Sequence, residues 1–179
     1  MRRHTAALAL ALCALAGLAR GEERVLELDD GETLRYSVRR HAPEAQLLAP
    51  GDRVAPTSAL NAAKLLHRYL VEGDIEEAAL LSNSPKRRYE VYREFRASVG
   101  EDEFKRVFGQ YFYPENRLLA EIAIGRHRLL IWRLRENGHL AGQYYVETEG
   151  RYLMDDVPSD ERTRLRRVLE AYRAGKATD

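Results

Sequence analysis

The hydrophobic period of this 179-residue chain changes at Tyr113-Pro114. Ahead of that point apolar residues recur with a period of about 3.6, as along the buried stripe of a helix. Beyond it the period is about 2, as along a strand. A chain that changes period in this way segregates its helices from its strands. The expected class is therefore α+β, with N-terminal helices packed on a curved antiparallel sheet meander, an extra N-terminal β-hairpin and a C-terminal helix.

The helical half carries clear start and stop signals. Thr57 or Ser58 caps a helix over LNAAKLLHRYLVE, whose Leu60, Ala63, Leu66 and Leu70 form one stripe, and Gly73 ends it. Asp74, with Glu77 three residues on, reads as a capping box. Ser84-Pro85 opens a third helix with Tyr89, Tyr92, Phe95 and Val99 inward and Arg87, Arg88, Glu90 and Glu94 outward. Asp102 starts a shorter one with Phe104, Phe108 and Phe112 in i, i+4 register.

LLAEIAIG, RLLIWRLRE, HLAGQYYVETE and RYLMD read as four strands, turning at Gly125-Arg126, Asn137-Gly138 and Glu149-Gly150. Ser159 caps a final helix, with Asp160 and Glu161 at its positive end and Arg173 near its negative end. A two-residue turn at Asn137-Gly138 sets Glu136 opposite His139 and Trp132 opposite Gln143. One sheet face then carries Leu119, Glu121, Leu130, Trp132, Leu134, Gln143, Tyr145, Tyr152 and Met154. The other carries Leu118, Ala120, Ile122, Leu129, Ile131, Tyr144, Val146 and Leu153. Both faces are largely apolar, so both need a cover: the N-terminal helices on one side, and the last helix, the hairpin or a second copy on the other.

Residues 1–21 read as an export signal. Arg2, Arg3 and His4 precede an uncharged run from Ala6 to Ala19, with small residues for cleavage at Ala16, Ala19 or Gly21. The run is shorter than the roughly 20 apolar residues that span a bilayer. The expected location is periplasmic or secreted, with no transmembrane segment after processing. Residues 22–56 follow as a hairpin (RVLEL, Asp29-Asp30-Gly31-Glu32, TLRYSVRR) and a linker holding Pro43, Pro50, Gly51 and Pro56; residues 57–179 form the helical and sheet domain. The one cysteine, Cys13, lies within the leader behind Leu12, so the processed chain is expected to fold by packing without disulfides. Removing Arg2, Arg3 and Arg20 from a formal net charge of +1 leaves about −2. A mixed, near-neutral surface of this kind excludes the strong basic field of a nucleic-acid binder.

The search for chemistry yields few candidates. His127 and His139 sit at opposite ends of one strand pair, while His41 and His67 lack a ligand-type neighbour at i+4, so no metal is expected. None of the six serines beyond the leader lies in a G-x-S-x-G turn, and Ser58, Ser84 and Ser159 read as helix caps. KRRYEVYREFR reads as a core stripe with a solvated charged face rather than a base-stacking surface. One polar group on an apolar face stands out: Glu121, Trp132, Gln143 and Tyr145 share a sheet face, the composition of a small-molecule pocket.

The run ALNAAKLLHRYLVEGDIEEAALLSNSP, with its Gly73-Asp74 break between two helices, is followed by an antiparallel meander. It resembles the nuclear transport factor 2-like superfamily, also called cystatin-like or SnoaL-like, in its exported bacterial members. EGRYLMDD is placed like their closing strand. The resemblance covers residues 58–84 by pattern and 118–155 by topology. It implies a cone-shaped fold whose helix covers a curved sheet and leaves a pocket at the open end. Enzymatic members place an aspartate, histidine or tyrosine pair in the cone, whereas these strands offer Glu121 and tyrosines.

Together these readings predict an exported, non-enzymatic binding or protein-interaction domain. Its partner would be a small apolar ligand or another envelope protein, with no nucleic acid, no cofactor and a homodimer through the second sheet face. The alternatives are an isomerase- or hydrolase-type enzyme using Glu121 as base and Tyr145 as donor, or an inhibitor or immunity protein for another exported protein.

Overall fold

The computed structural model describes residues 21–28, 31–42, 54–135 and 138–177. The predicted leader through Arg20, the Asp29-Asp30 turn, most of the linker, Glu136 and Asn137 lie outside the described residues. Among the described residues the fold is α+β, with six strands in the antiparallel order β1-β2-β3-β4-β5-β6 forming an open sheet. β1 (Glu22–Glu27) and β2 (Thr33–Arg39) are the hairpin, and β2 pairs with β3 (Arg117–Ile124). The hairpin therefore extends the sheet across the whole helical insertion between them. β4 (His127–Arg133), β5 (Leu140–Thr148) and β6 (Arg151–Met154) complete the meander.

The caps form where side-chain oxygens meet the orphan N–H groups of a first turn. Ser58 accepts from Asn61 N at 3.1 Å and starts α1 (Ala59–Glu72). Gly73, at φ 82°, ends that helix because only glycine adopts the left-handed conformation cheaply. Asp74 accepts from Glu77 N at 3.2 Å and opens α2 (Ile75–Leu80). Ser159 accepts from Arg162 N at 3.1 Å and opens α5 (Asp160–Arg173).

Ser84 departs from its predicted role. It precedes α3 (Pro85–Val99) but makes no side-chain cap; its own N–H donates to Ser82 Oγ at 2.9 Å. α4 (Glu101–Gly109) begins one residue before the predicted Asp102, because Gly100, at a positive φ of 86° that glycine tolerates, is where the chain turns. Phe104 and Phe108 stack edge-on at 4.9 Å, but Phe112 lies past the helix in a 3-10 turn (Gln110–Phe112) and packs on the sheet beside Trp132.

Two sandwiched cores result. On one face, Ala59, Leu60, Ala62 and Ala63 of α1 press on Leu118, Leu130, Trp132 and Tyr145, with α2, α3 and α4 stacked behind α1. On the other, Leu165, Val168, Leu169 and Tyr172 of α5 cover Leu34, Ile122, Leu129 and Ile131. Each fully buried aliphatic or aromatic side chain contributes about 1.5–3 kcal/mol relative to exposure. α5 closes, within the chain, the face for which a second copy was an alternative cover.

Two pairings correct the predicted register. β4 and β5 pair Trp132 with Ala141 and Leu130 with Gln143, two residues out from the predicted match. Leu134 N bonds His139 O at 3.1 Å, so Leu134 rather than Glu136 stands opposite His139. A shift of two keeps every side chain on its predicted face. In β3, a bulge between Leu118 and Ala120 does not. It turns Leu118 toward α1 and Leu119 toward the α5 side, the reverse of simple alternation.

Candidate functional site

A cavity of about 300 Å³ lies between the helical layer and the sheet, beside the half of β5 that β6 does not cover. Leu66, Leu70, Val91, Tyr92, Phe95, Phe108 and Met154 make its apolar wall. His67, Tyr111 and Gln143 are polar points within it, and Arg88, Asp155, Asp156 and Arg162 stand at one side.

The polar points are wired in one direction. The Trp132 indole can only donate, and it donates to Gln143 Oε1 at 3.1 Å. That orients the amide, so Gln143 Nε2 donates to His67 Nε2 at 2.5 Å. The Tyr145 hydroxyl also donates to Gln143 Oε1, at 3.5 Å. His67 Nε2 is thus an acceptor, and the ring proton resides on Nδ1. Among the described residues nothing accepts from that Nδ1, although the ring is buried and stacked on Tyr111 at 4.1 Å. Burial pushes the His67 imidazole down to about 3, because the charged form has no solvent or counter-charge to stabilise it. Burial likewise raises Tyr145 and Tyr111, the latter against a hydrogen bond from Gln143.

The charged side is a clasp between two loops. Asp156 accepts from Ser82 Oγ at 2.6 Å and Arg88 Nε at 2.8 Å, and pairs with the second Arg88 nitrogen as well. Asn83 Oδ1 accepts from Asp156 N at 2.8 Å and Val157 N at 3.3 Å, while its Nδ2 donates to Asp155 Oδ1 at 3.0 Å. His127 Nδ1 donates to Asp155 Oδ2 at 2.8 Å. Arg88 was predicted to face outward; it turns in because a nearly buried carboxylate needs its charge.

Of the four pocket residues predicted, Trp132, Gln143 and Tyr145 come together, and Gln143 alone lines the cavity; Trp132 and Tyr145 lie behind it. Glu121 is elsewhere. It accepts from His41 Nε2 at 2.5 Å and lies 3.8 Å from Arg128 Nε, tying the start of the linker to the sheet. His67, considered in the sequence only as a metal ligand, is buried in the cavity wall. Its signal was present: it falls between Ala63 and Leu70 on the same helical stripe. Arg88 and Asp156, 68 residues apart, carried no such local sign.

A slightly larger depression, about 360 Å³, lies between the hairpin and α5. Its Glu27, Arg167, Glu170 and Lys176 mix both charges without converging on a point. Among the described residues no group of three His, Cys, Asp or Glu side chains is placed to hold a metal ion, and no helix is long and apolar enough to cross a membrane. In comparisons with protein-family models, curated proteins and solved structures, nothing matches this chain.

Proposed function

We propose that this protein is an exported, non-enzymatic domain that binds a small, largely apolar molecule in the cavity between α1, α3, α4 and β5. The observation that carries this reading is the cavity itself: apolar walls, a few convergent polar groups and one buried N–H without an acceptor among the described residues. Binding rather than catalysis is favoured by the state of the titratable groups. An imidazole held near 3 is a poor base at neutral pH, and Glu121 is engaged by His41 and Arg128 outside the cavity wall. Export rests on the basic, apolar and small-residue pattern of residues 1–21. Membership of the nuclear transport factor 2-like superfamily is part of the proposal. Its support is the α1–Gly73-Asp74–α2 unit laid on an antiparallel sheet, with a pocket beneath the helices.

The test is calorimetric titration of the purified protein with 1-octanol, alongside Val91→Trp. Val91 lines the cavity yet is 43% exposed, so an indole there fills space without breaking the core. One saturable site in the wild type, lost in Val91→Trp, is expected. Absence of saturable binding, or equal binding by the variant, overturns the reading.

A further inference from the structure

We infer that the molecule is an amphiphilic carboxylate, its apolar body in the cavity and its carboxylate on the Arg162 guanidinium; this rests on the binding reading above. The cavity does not end at its apolar wall. Tyr144 and Arg162 also line a second depression of about 250 Å³, completed by Pro158, Ser159, Thr163 and Arg166. The two spaces meet at this pair, so a molecule filling the first places one end beside Arg162.

The charges there single out Arg162. Asp156 is matched by Arg88 and Ser82, and Asp155 by Asn83 and His127. Glu161, next in sequence, lies 3.9 Å from His127 Nε2, and Arg166 has Glu170 at 3.7 Å. Among the described residues no acid lies within ion-pair distance of the Arg162 guanidinium. Its guanidinium carbon lies over the Tyr144 ring, 5.6 Å from the centroid, a cation–π contact. A cation–π contact consumes none of the guanidinium N–H donors, and a carboxylate matches their fork with two parallel bonds. The apolar part has a size limit. At ~30 Å³ for a water-sized group, the whole cavity, charged side included, has room for roughly ten heavy atoms.

Octanoate and 1-octanol separate the head from the body. The wild type is expected to bind octanoate at least about tenfold more tightly than octanol at low salt. Arg162→Gln should abolish that preference while changing octanol affinity less than about twofold, and Arg162→Lys should restore part of it. Equal affinities in the wild type, or a preference that survives Arg162→Gln, overturn the inference and leave the apolar cavity standing, provided octanol still binds and Val91→Trp still blocks it. If neither probe binds the wild type, both readings fall. Circular dichroism of each Arg162 variant, at a position already solvent-accessible on α5, separates loss of recognition from loss of fold.

Discussion

Gln143→Leu tests whether the buried amide is the organising element of the helix–sheet interface. Leucine keeps the volume and removes the acceptor that serves Trp132 Nε1 and the Tyr145 hydroxyl. Both donors are only 1% exposed, so water does not replace it. A buried donor left without a partner costs about 1–3 kcal/mol, and the 3.5 Å Tyr145 bond belongs at the low end. His67 Nε2 loses its donor as well, which adds a cost at the low end of that range. Against a gain of about 1 kcal/mol for the more apolar side chain, the net loss is about 2–3 kcal/mol. For a domain of this size that is a fall of roughly 5–10 °C in Tm. Urea unfolding followed by far-UV circular dichroism measures it, and the fluorescence of Trp132, the one tryptophan, reports the same site. In a Trp132→Phe background the cost should shrink by about 1 kcal/mol, because one orphaned donor is gone. A Gln143→Leu protein within 0.5 kcal/mol of wild type, or an undiminished cost in that background, refutes the wiring.

Three further outcomes are expected. The His67 folded-state value of about 3 lies below its ordinary 6.5, so between these values the unfolded chain binds the extra proton. The stability this group contributes is full above about pH 6.5 and falls by about 1.4 kcal/mol per unit as pH drops toward 3. His67→Gln should flatten the acid limb between pH 6 and 4; coincident slopes in chemical denaturation would speak against it. Asn83→Ala removes three hydrogen bonds from the clasp and should cost about 2–3 kcal/mol in urea melts, with less than 1 kcal/mol counting against the role given to it. Glu121→Gln should leave octanol binding within about twofold, and a tenfold loss by calorimetry would return Glu121 to the site.

The class of the fold, the helices, their main caps and the two faces of the sheet were legible from local pattern. Caps, turns and periodicity come from interactions between residues a few positions apart, and such interactions are written in the order of the residues. The faces survived even the β4–β5 register shift, because a displacement of two preserves a period of two. The bulge at Leu118 broke that protection, and no glycine or proline at the site announced it.

What only the tertiary structure decided is which distant groups meet. At Gly142 of β5 a Cβ would lie 2.4 Å from Leu169 Cδ2, so its bare backbone is where α5 approaches the sheet. His67 and Gln143 are 76 residues apart, Ser82 and Asp156 are 74, and His41 and Glu121 are 80. Each polar group had many partners open to it in sequence, and the path of the chain selected one. Periodicity determines which side of an element is buried, because burial is shared by a whole stripe. A hydrogen bond requires two particular atoms within about 3 Å, and that is settled when helices and sheet dock.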